Sequence, residues 1–462
     1  MGDQKKRRES VPASAGLDTK TMTAQAVRMA WPAVLESFFV SFAGMIDTMM
    51  VSTLGSAAVA AVGLTVQPKF IGLAAFFAVN MAVSALVARR KGEGRQKEAN
   101  ETLVTALWIV LVLCAVVTAL CLWGAEPILR FAGSAQETHE PAVAYFRIIM
   151  GGTVFTAVQM LFNSAQRGSG NTRISMTTNV TSSIVNICCN YLLIGGHFGF
   201  PALGVRGAAI ATVLGSVVGA GMSIASLFRR TSYVSVSLIL REKVRFTARV
   251  FRSIVSFSSN VLAENLAMRV GFLATAFLAA RLGTDAFAAH NVGMNLMGLA
   301  FSFADGMQAA GVALAGEALG AKEKEKAKRY GSICQKIGLG ISAVLALVMF
   351  FGGRAIYSLY FQEPHILEYG VLITRFIMVI VPLQISQIIY GACLRAAGDI
   401  RYTLVASLIS VMVIRTLSTY VLTSVLGLGL AGIWLGVLSD QLMRYLFMST
   451  RFRRGKWVDL KL

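Results

Sequence analysis

Three carboxylates stand in this chain where a carboxylate is costly. Glu36, Asp47 and Glu264 lie inside long apolar runs. An ionisable group within a membrane helix costs on the order of a few kcal/mol, so it calls for a partner or a task. Glu36 and Asp47 are eleven residues apart. At 100° per residue that is about 20° past three full turns, so both lie on one helix face, roughly 16 Å apart along the axis. Glu264 stands 228 residues after Glu36, whereas position 275, the same distance after Asp47, is Thr275. A carboxyl group in a low-dielectric site can load a proton or hold a cation and release it when water access changes. The three acids are therefore candidate ion-coupling residues. For Glu36 and Glu264 a packing hydrogen bond or a contact at the membrane surface is the alternative, and both readings stand.

A second set of groups could line the same path. Asn80, Asn186, Asn190, Gln384, Gln387 and Tyr390 are polar residues within apolar segments, suited either to ligand contact or to bridging neighbouring helices. Arg269 and Arg415 each call for an acid or a water-filled cavity. Asp305 and Asp440 carry no readable assignment. Met45, Met49 and Met50 fit varied ligands or plain packing. The six cysteines all sit in apolar segments without metal spacing, and the four histidines form no cluster. No metal site is expected. There is no nucleotide-binding P-loop, so ATP is not the expected energy source. No Ser/His/Asp constellation argues for an enzyme, and no cofactor is called for beyond a coupling ion, H+ or Na+.

The elements that must position these groups are membrane helices. The sequence has 462 residues, 55% hydrophobic and only 14% charged, with a mean hydropathy of +0.65; a soluble domain carries about 25% charge. Apolar segments long enough to cross roughly 30 Å of hydrocarbon run over 28–53, 62–87, 103–123, 141–164, 174–195 and 205–228. A second set covers 250–280, 286–315, 331–352, 367–393, 402–425 and 428–450. The expected fold is all-α and integral to the membrane, with twelve transmembrane helices in two six-helix lobes. The expected divisions are a tail at 1–27, lobes at 28–228 and 250–450, a basic amphipathic linker at 229–249, and a tail at 451–462.

The formal net charge of +20 raises the question of nucleic acid, and its distribution answers it. Basic residues cluster at Lys5–Arg8, Arg89–Lys91, Arg229–Arg252, Lys322–Arg329 and Arg451–Arg454, while Ser52–Leu64 and Thr423–Gly429 carry no charge. Alternating basic and non-basic loops are the positive-inside pattern. Both termini are expected in the cytoplasm, with membrane lipids rather than nucleic acid as the partner of the basic face.

The two sets of helices are copies. Leu54-Gly55 and Ala60-Ala61 recur as Leu282-Gly283 and Ala288-Ala289; Gly92 recurs as Gly320; Arg167, Gly170 and Arg173 recur as Arg395, Gly398 and Arg401, all at an offset of 228. Gly204 and Gly207 match Gly429 and Gly432 at 225. An even number of helices per copy gives parallel repeats, an architecture of transporters with the site between the halves. The Arg167–Arg173 and Arg395–Arg401 segments read as tight turns at cytoplasmic helix ends, with glycine as left-handed cap, Asn or Asp opening the next helix and arginine facing headgroups.

With these pieces in order, the chain resembles the multidrug and toxic compound extrusion (MATE) family from about Ala30 to Trp457. The matching pieces are Met45-Ile46-Asp47-Thr48 before Leu54-Gly55, Ala288-Ala289-His290 with Asn295, Gly316 with Leu319-Gly320, Leu394-Arg395 to Arg401, and Gly429 to Trp434. The resemblance implies a V of two bundles around a central cleft, with proton or sodium antiport driving export of amphipathic, often cationic small molecules. It implies cation binding at Asp47. The chain departs from the family where Asn190 stands in place of an acid, where Gln384 replaces the Asp of some sodium-linked members, and where Glu264 lies one turn before their seventh-helix acid. A proton is the expected ion. A monomer in the bacterial inner membrane is the expected state. A flippase for lipid-linked cargo is the alternative within the superfamily, and a membrane scaffold or enzyme the alternative outside it.

Overall fold

The structure, a computed structural model, describes residues 19–132, 134, 136–229 and 232–460. Lys5–Arg8 and the rest of the first basic cluster lie outside the described residues. The described residues are 88% helical. Its long helices are α1 (Thr19–Ser52), α2 (Ser56–Gly92), α3 (Gln96–Trp123), a bent α4 (Gln136–Gly151 and Thr153–Gly168), α5 (Thr172–Gly195) and α6 (Gly204–Ser226). The second copy supplies α7 (Ala248–Ala280), α8 (Thr284–Gly320), α9 (Lys324–Ser358), α10 (Pro364–Ala396), α11 (Ile400–Val425) and α12 (Gly429–Arg453).

Eight of these helices are long and apolar enough to span a membrane on their own, and the two halves of α4, bent by 46°, make a ninth span together. The other three are α5, α8 and α12. Each is diluted by polar residues: Asn179, Asn186 and Asn190 on α5, Asp305 and Gln308 on α8, Asp440 and Arg444 on α12. These three helices carry part of the inward-facing chemistry, which is why hydropathy alone undercounts a polar-lined bundle.

Several boundaries differ from the sequence reading. α1 begins at Thr19, so the helix takes up the end of the expected tail. The linker holds a short helix, Val236–Arg241, capped by Ser235. It is strapped to α3 through Gln96 Nε2 donating to the Tyr233 carbonyl (2.8 Å) and Ser235 N donating to Asn100 Oδ1 (3.0 Å). The C-terminal stretch is docked as well. Trp457 is fully buried against Phe452, and Lys324 Nζ lies 2.5 Å from Asp459 Oδ1, which holds that carboxyl below its ordinary range.

The turns behave as their glycines require. Gly170 and Gly398 take φ of +88° and +91°, a conformation that costs other residues more. Asn171 and Asp399 open the following helices without a side-chain cap; Asp399 instead pairs with Arg451 at 2.6 Å. The expectation that Arg167 and Arg395 face headgroups is overturned. Both guanidiniums turn inward to buried carboxylates.

The two copies meet along a seam confined to the end of the molecule that carries the basic loops. There α1 packs on α8, and α2 packs on α7 and α8. Small residues make the approach close. A Cβ on Gly92 would overlap the Glu317 carbonyl oxygen, and one on Gly320 that of Arg89. Gly306 lies on the backbone of Val34 and Gly316 on Ala88. Lys91 pairs with Glu317 at 2.9 Å, Arg89 donates to the Leu460 carbonyl at 3.1 Å, and Tyr330 donates to Gln25. Moving away from that end, the last side-chain contacts across the seam are Ser41 with Ser302 (2.8 Å), Phe38 with Phe303, and Arg269 over the Phe70 ring (4.9 Å). Ser41 and Arg269 are repeat counterparts, so both edges of the seam end at the same depth. Beyond it α1 is exposed on most sides between Phe38 and Met49, and the N-terminal lobe has small cores of its own, such as Val51, Ala58, Tyr145 and Ile194. About eleven residues of α1, roughly 16 Å, thus flank a cleft that is closed at the basic end and open at the other.

Candidate functional site

The exposed faces of α2 and α8 identify the cleft wall. On α8, Asn291, Asn295, Gly298, Phe301 and Asp305 are exposed and fall on one helical face. On α2 the repeat counterparts Gly63, Gln67 and Phe77 are exposed too. Amides and a carboxylate along an outer face would be severely penalised against lipid; facing a water-filled cleft they are not.

Asp47 lies on the open side of the seam, partly buried within the N-terminal lobe. Its Oδ1 accepts a short bond from Asn190 Nδ2 on α5. With the Asn186 amide turned to suit its surroundings, that nitrogen donates to Asp47 Oδ1 at 3.3 Å and its oxygen accepts from Thr212 at 3.1 Å. Lys69 on α2 is the nearby cation acting on Asp47, and Tyr145 and Thr212 complete the surroundings. The site is one carboxylate, two amides and an ammonium, built from α1, α2, α4, α5 and α6. A carboxylate seated among amides is chemically suited to hold a proton or a small cation. Sequence reading found Asp47, Asn186 and Asn190 and missed Lys69, although a lone lysine after Pro68 in an apolar run was a signal.

At the counterpart position the C-terminal lobe has no acid. Thr275 Oγ1 accepts from Arg415 Nε at 2.9 Å, and Arg415 is fully buried beside Phe272. Arg415 lies 3.5 Å from Asp440, which accepts two bonds from Arg444 (2.7 and 2.9 Å). One carboxylate thus serves two guanidiniums.

Glu36 and Glu264 lie deeper, at the closed end, and repeat each other closely. Glu36 Oε1 accepts from Arg167 (2.9 Å), Ser175 (3.0 Å) and Asn179. Glu264 Oε1 accepts from Arg395 (3.4 Å) and Ser407 (2.8 Å). Arg167 and Arg395, and Asn179 and Ser407, are counterparts at the same offset of 228. Neither glutamate lies beside Asp47: the three candidate ion-coupling acids occupy two levels, as the spacing of Glu36 and Asp47 along α1 requires.

The remaining candidates are scattered. Asn80, Gln384 and Gln387 are buried, and neither the Asn80 amide nor Gln384 Oε1 has a partner among the described residues. Arg269 stacks on Phe70 rather than pairing with an acid. Tyr390 stands apart from the cleft, packed at the basic end against Phe452 (4.8 Å) and Tyr445. Among the described residues, no group of three His, Cys, Asp or Glu side chains could hold a metal ion.

Comparison with known proteins decides the family. The MatE family model matches residues 32–192 and again 261–421, two copies displaced by 229 residues and so within one residue of the internal repeat. The chain belongs to the MatE family. As a MatE protein it is a multi-pass membrane transporter and not an enzyme. It is 27% identical over 435 residues to a probable multidrug resistance protein NorM of Thermotoga maritima, covering 93% of this chain and 92% of that one. It is 25% identical to the multidrug resistance protein PmpM of Pseudomonas aeruginosa, covering 86% and 83%. In fold it is similar to a MATE protein crystallised in a bent conformation (TM-score 0.85, 22% identity, covering 95% and 98%). It is equally similar to an outward-facing multidrug resistance MATE transporter (TM-score 0.86, 23% identity, covering 94% and 97%).

Proposed function

We propose that this MatE protein is a cation-coupled antiporter that exports amphipathic, cationic small molecules by alternating access, with Asp47 as the coupling carboxylate. The reading places the basic end in the cytoplasm of a bacterial cell, by the distribution of Lys and Arg, and makes the described conformation the outward-open one. The curated relatives named for multidrug resistance point to the same class of cargo.

The observation that carries it is the asymmetry between the lobes. Asp47 is held by amides on the open side of the seam, while the C-terminal lobe fills the matching position with Thr275 and the fixed guanidinium of Arg415. Both lobes hold a cation here, Lys69 and Arg415, but only the N-terminal lobe offers a carboxylate at this position, so coupling falls to that lobe. With two amides and no second carboxylate beside Asp47, a proton suits the site better than sodium, which favours several oxygen ligands and more negative charge. The exposed stripes of α2 and α8 carry amides and one carboxylate and no arginine, which favours cationic cargo over phosphate-bearing lipids.

The test is counterflow in proteoliposomes with pH and sodium gradients imposed separately on the unaltered protein and on Asp47→Asn. Gradient-driven export should be lost in the variant and should follow the pH gradient in the parent. Equal export by both proteins, with both folded, removes Asp47 from the mechanism.

A further inference from the structure

One acid lies in the cleft without a part in the scheme above. We propose that Asp305 is the anchor of a subsite for an organic cation at the floor of the cleft, separate from the coupling site at Asp47. The inference rests on the reading of this chain as an exporter of cationic molecules and adds the group that would select them.

Asp305 is exposed, yet it lies one helical turn below Ser302, the last point of contact between the lobes, and next to Gly306, which sits on the Val34 backbone. A side chain crowded by protein on all sides but still accessible is at the bottom of a crevice. It also closes the polar stripe that begins at Asn291.

The local charges do not balance. Arg167 is committed to Glu36, and Arg395 to Glu264 and Gln308. Both guanidiniums, one from each lobe, act on Asp305 from a distance, but none lies within ion-pair range of it among the described residues. The bond Asp305 accepts is a neutral one, from Gln308 Nε2 at 3.1 Å. Around Asp305 three carboxylates face two guanidiniums, Arg269 lying over Phe70 at the other edge of the seam, so this side of the floor has one carboxylate more than it has guanidiniums, and it is the accessible one.

The chemistry around the carboxylate suits a particular cation. Phe301, one turn towards the open end, is 47% exposed, and Phe77, which holds the counterpart position on α2, is 38% exposed. A small hydrated ion would gain only the net charge, weakened by both arginines. An organic cation with an apolar or aromatic body gains the carboxylate and the ring surfaces together. The subsite therefore selects for lipophilic monovalent cations.

Tetraphenylphosphonium and tetraphenylborate test this, since they share size and shape and differ in the sign of charge. Equilibrium binding of each is measured on protein in nanodiscs, with empty nanodiscs subtracted, for the parent, Asp305→Asn, Asp305→Glu and Asp47→Asn. The parent should prefer the cation by on the order of a hundredfold, because one unit charge at about 10 Å in an effective dielectric of about 20 attracts the cation by about tenfold and repels the anion by as much. Asp305→Asn should erase that preference and Asp305→Glu should keep it. Asp47→Asn should keep it while losing gradient-driven export. A cation preference that survives in Asp305→Asn, or is missing from the parent, overturns the subsite. Export that persists in Asp47→Asn overturns the coupling scheme and leaves the subsite standing.

Discussion

Replacing Arg167 by methionine should destabilise this protein far more than replacing Glu36 by glutamine, although the two changes break the same ion pair. The Glu36 carboxylate lies 2.9 Å from Arg167, with side-chain exposures of 7% and 25%. In an effective dielectric of about 20 the gross attraction is about 6 kcal/mol, most of it offset by desolvation. Breaking such a pair from one side costs about 3–5 kcal/mol, because the abandoned partner stays buried and charged. The two sides are unequal here. Removing Arg167 leaves Glu36 without a cation and takes from Asp305 one of the two guanidiniums that act on it. Neutralising Glu36 leaves Arg167 under the longer-range field of Asp305 and with Ser164 accepting at 3.2 Å. Arg167→Met is therefore expected near the top of that range and Glu36→Gln at about 1–2 kcal/mol, with the double variant well short of the sum. The C-terminal counterpart, Glu264 with Arg395 at 3.4 Å, should give a smaller coupling of the same sign. A double-mutant cycle on unfolding of the detergent-solubilised protein measures both. Additivity within about 0.5 kcal/mol, or Glu36→Gln costing as much as Arg167→Met, would refute the account.

Other changes act on the seam and on the second lobe. Gly92→Ala places a Cβ on the Glu317 carbonyl oxygen and should cost about 1–3 kcal/mol by overpacking. It should spread the closed end, read as longer spin-label distances between α2 and α8. Asp440→Asn leaves Arg415 and Arg444 buried without an acid and should cost about 3–5 kcal/mol. Arg444→Met, which leaves Asp440 to Arg415, should cost clearly less in the same thermal-unfolding assay.

Helices and duplication were legible in the residues because both are repeated signals. Twelve apolar runs survive errors of several residues in their ends, and Leu54-Gly55 with Leu282-Gly283 fixes the offset whatever the helices do. Facing was harder to read. Glu36 and Asp47 share a side of α1, as their spacing requires, but that side runs from the closed end to the open end, so one face passes two environments. Tyr390 is polar and sits in an apolar run, yet near the end of α10 the inward direction leads to Phe452 and the docked C-terminal segment rather than to the cleft. A position beside a turn points every arginine of these segments to headgroups, which fits the exposed Arg173 and Arg401 but not Arg167 and Arg395. Their constant separation of 131 residues from Glu36 and Glu264 was available in the sequence and pointed to the pairing.

A duplicated chain offers a way to sort its charged residues, because what both copies keep is constrained by what both copies share. Each lobe must close its basic end in the same way, and Glu36–Arg167 recurs there as Glu264–Arg395, with the polar neighbours Asn179 and Ser407 in register. Residues that the copies do not share are free of that constraint. Asp47 faces Thr275 across the repeat, and Asp305 faces Phe77. Asp47 lies beyond the depth where the lobes part, seated among amides, and Asp305 lies one turn below that depth, accessible in the crevice. In the proposed scheme, one acid in each lobe at different depths gives ion and cargo separate seats. Each can then weaken the hold on the other through the field they share, without the two ever competing for the same oxygen atoms.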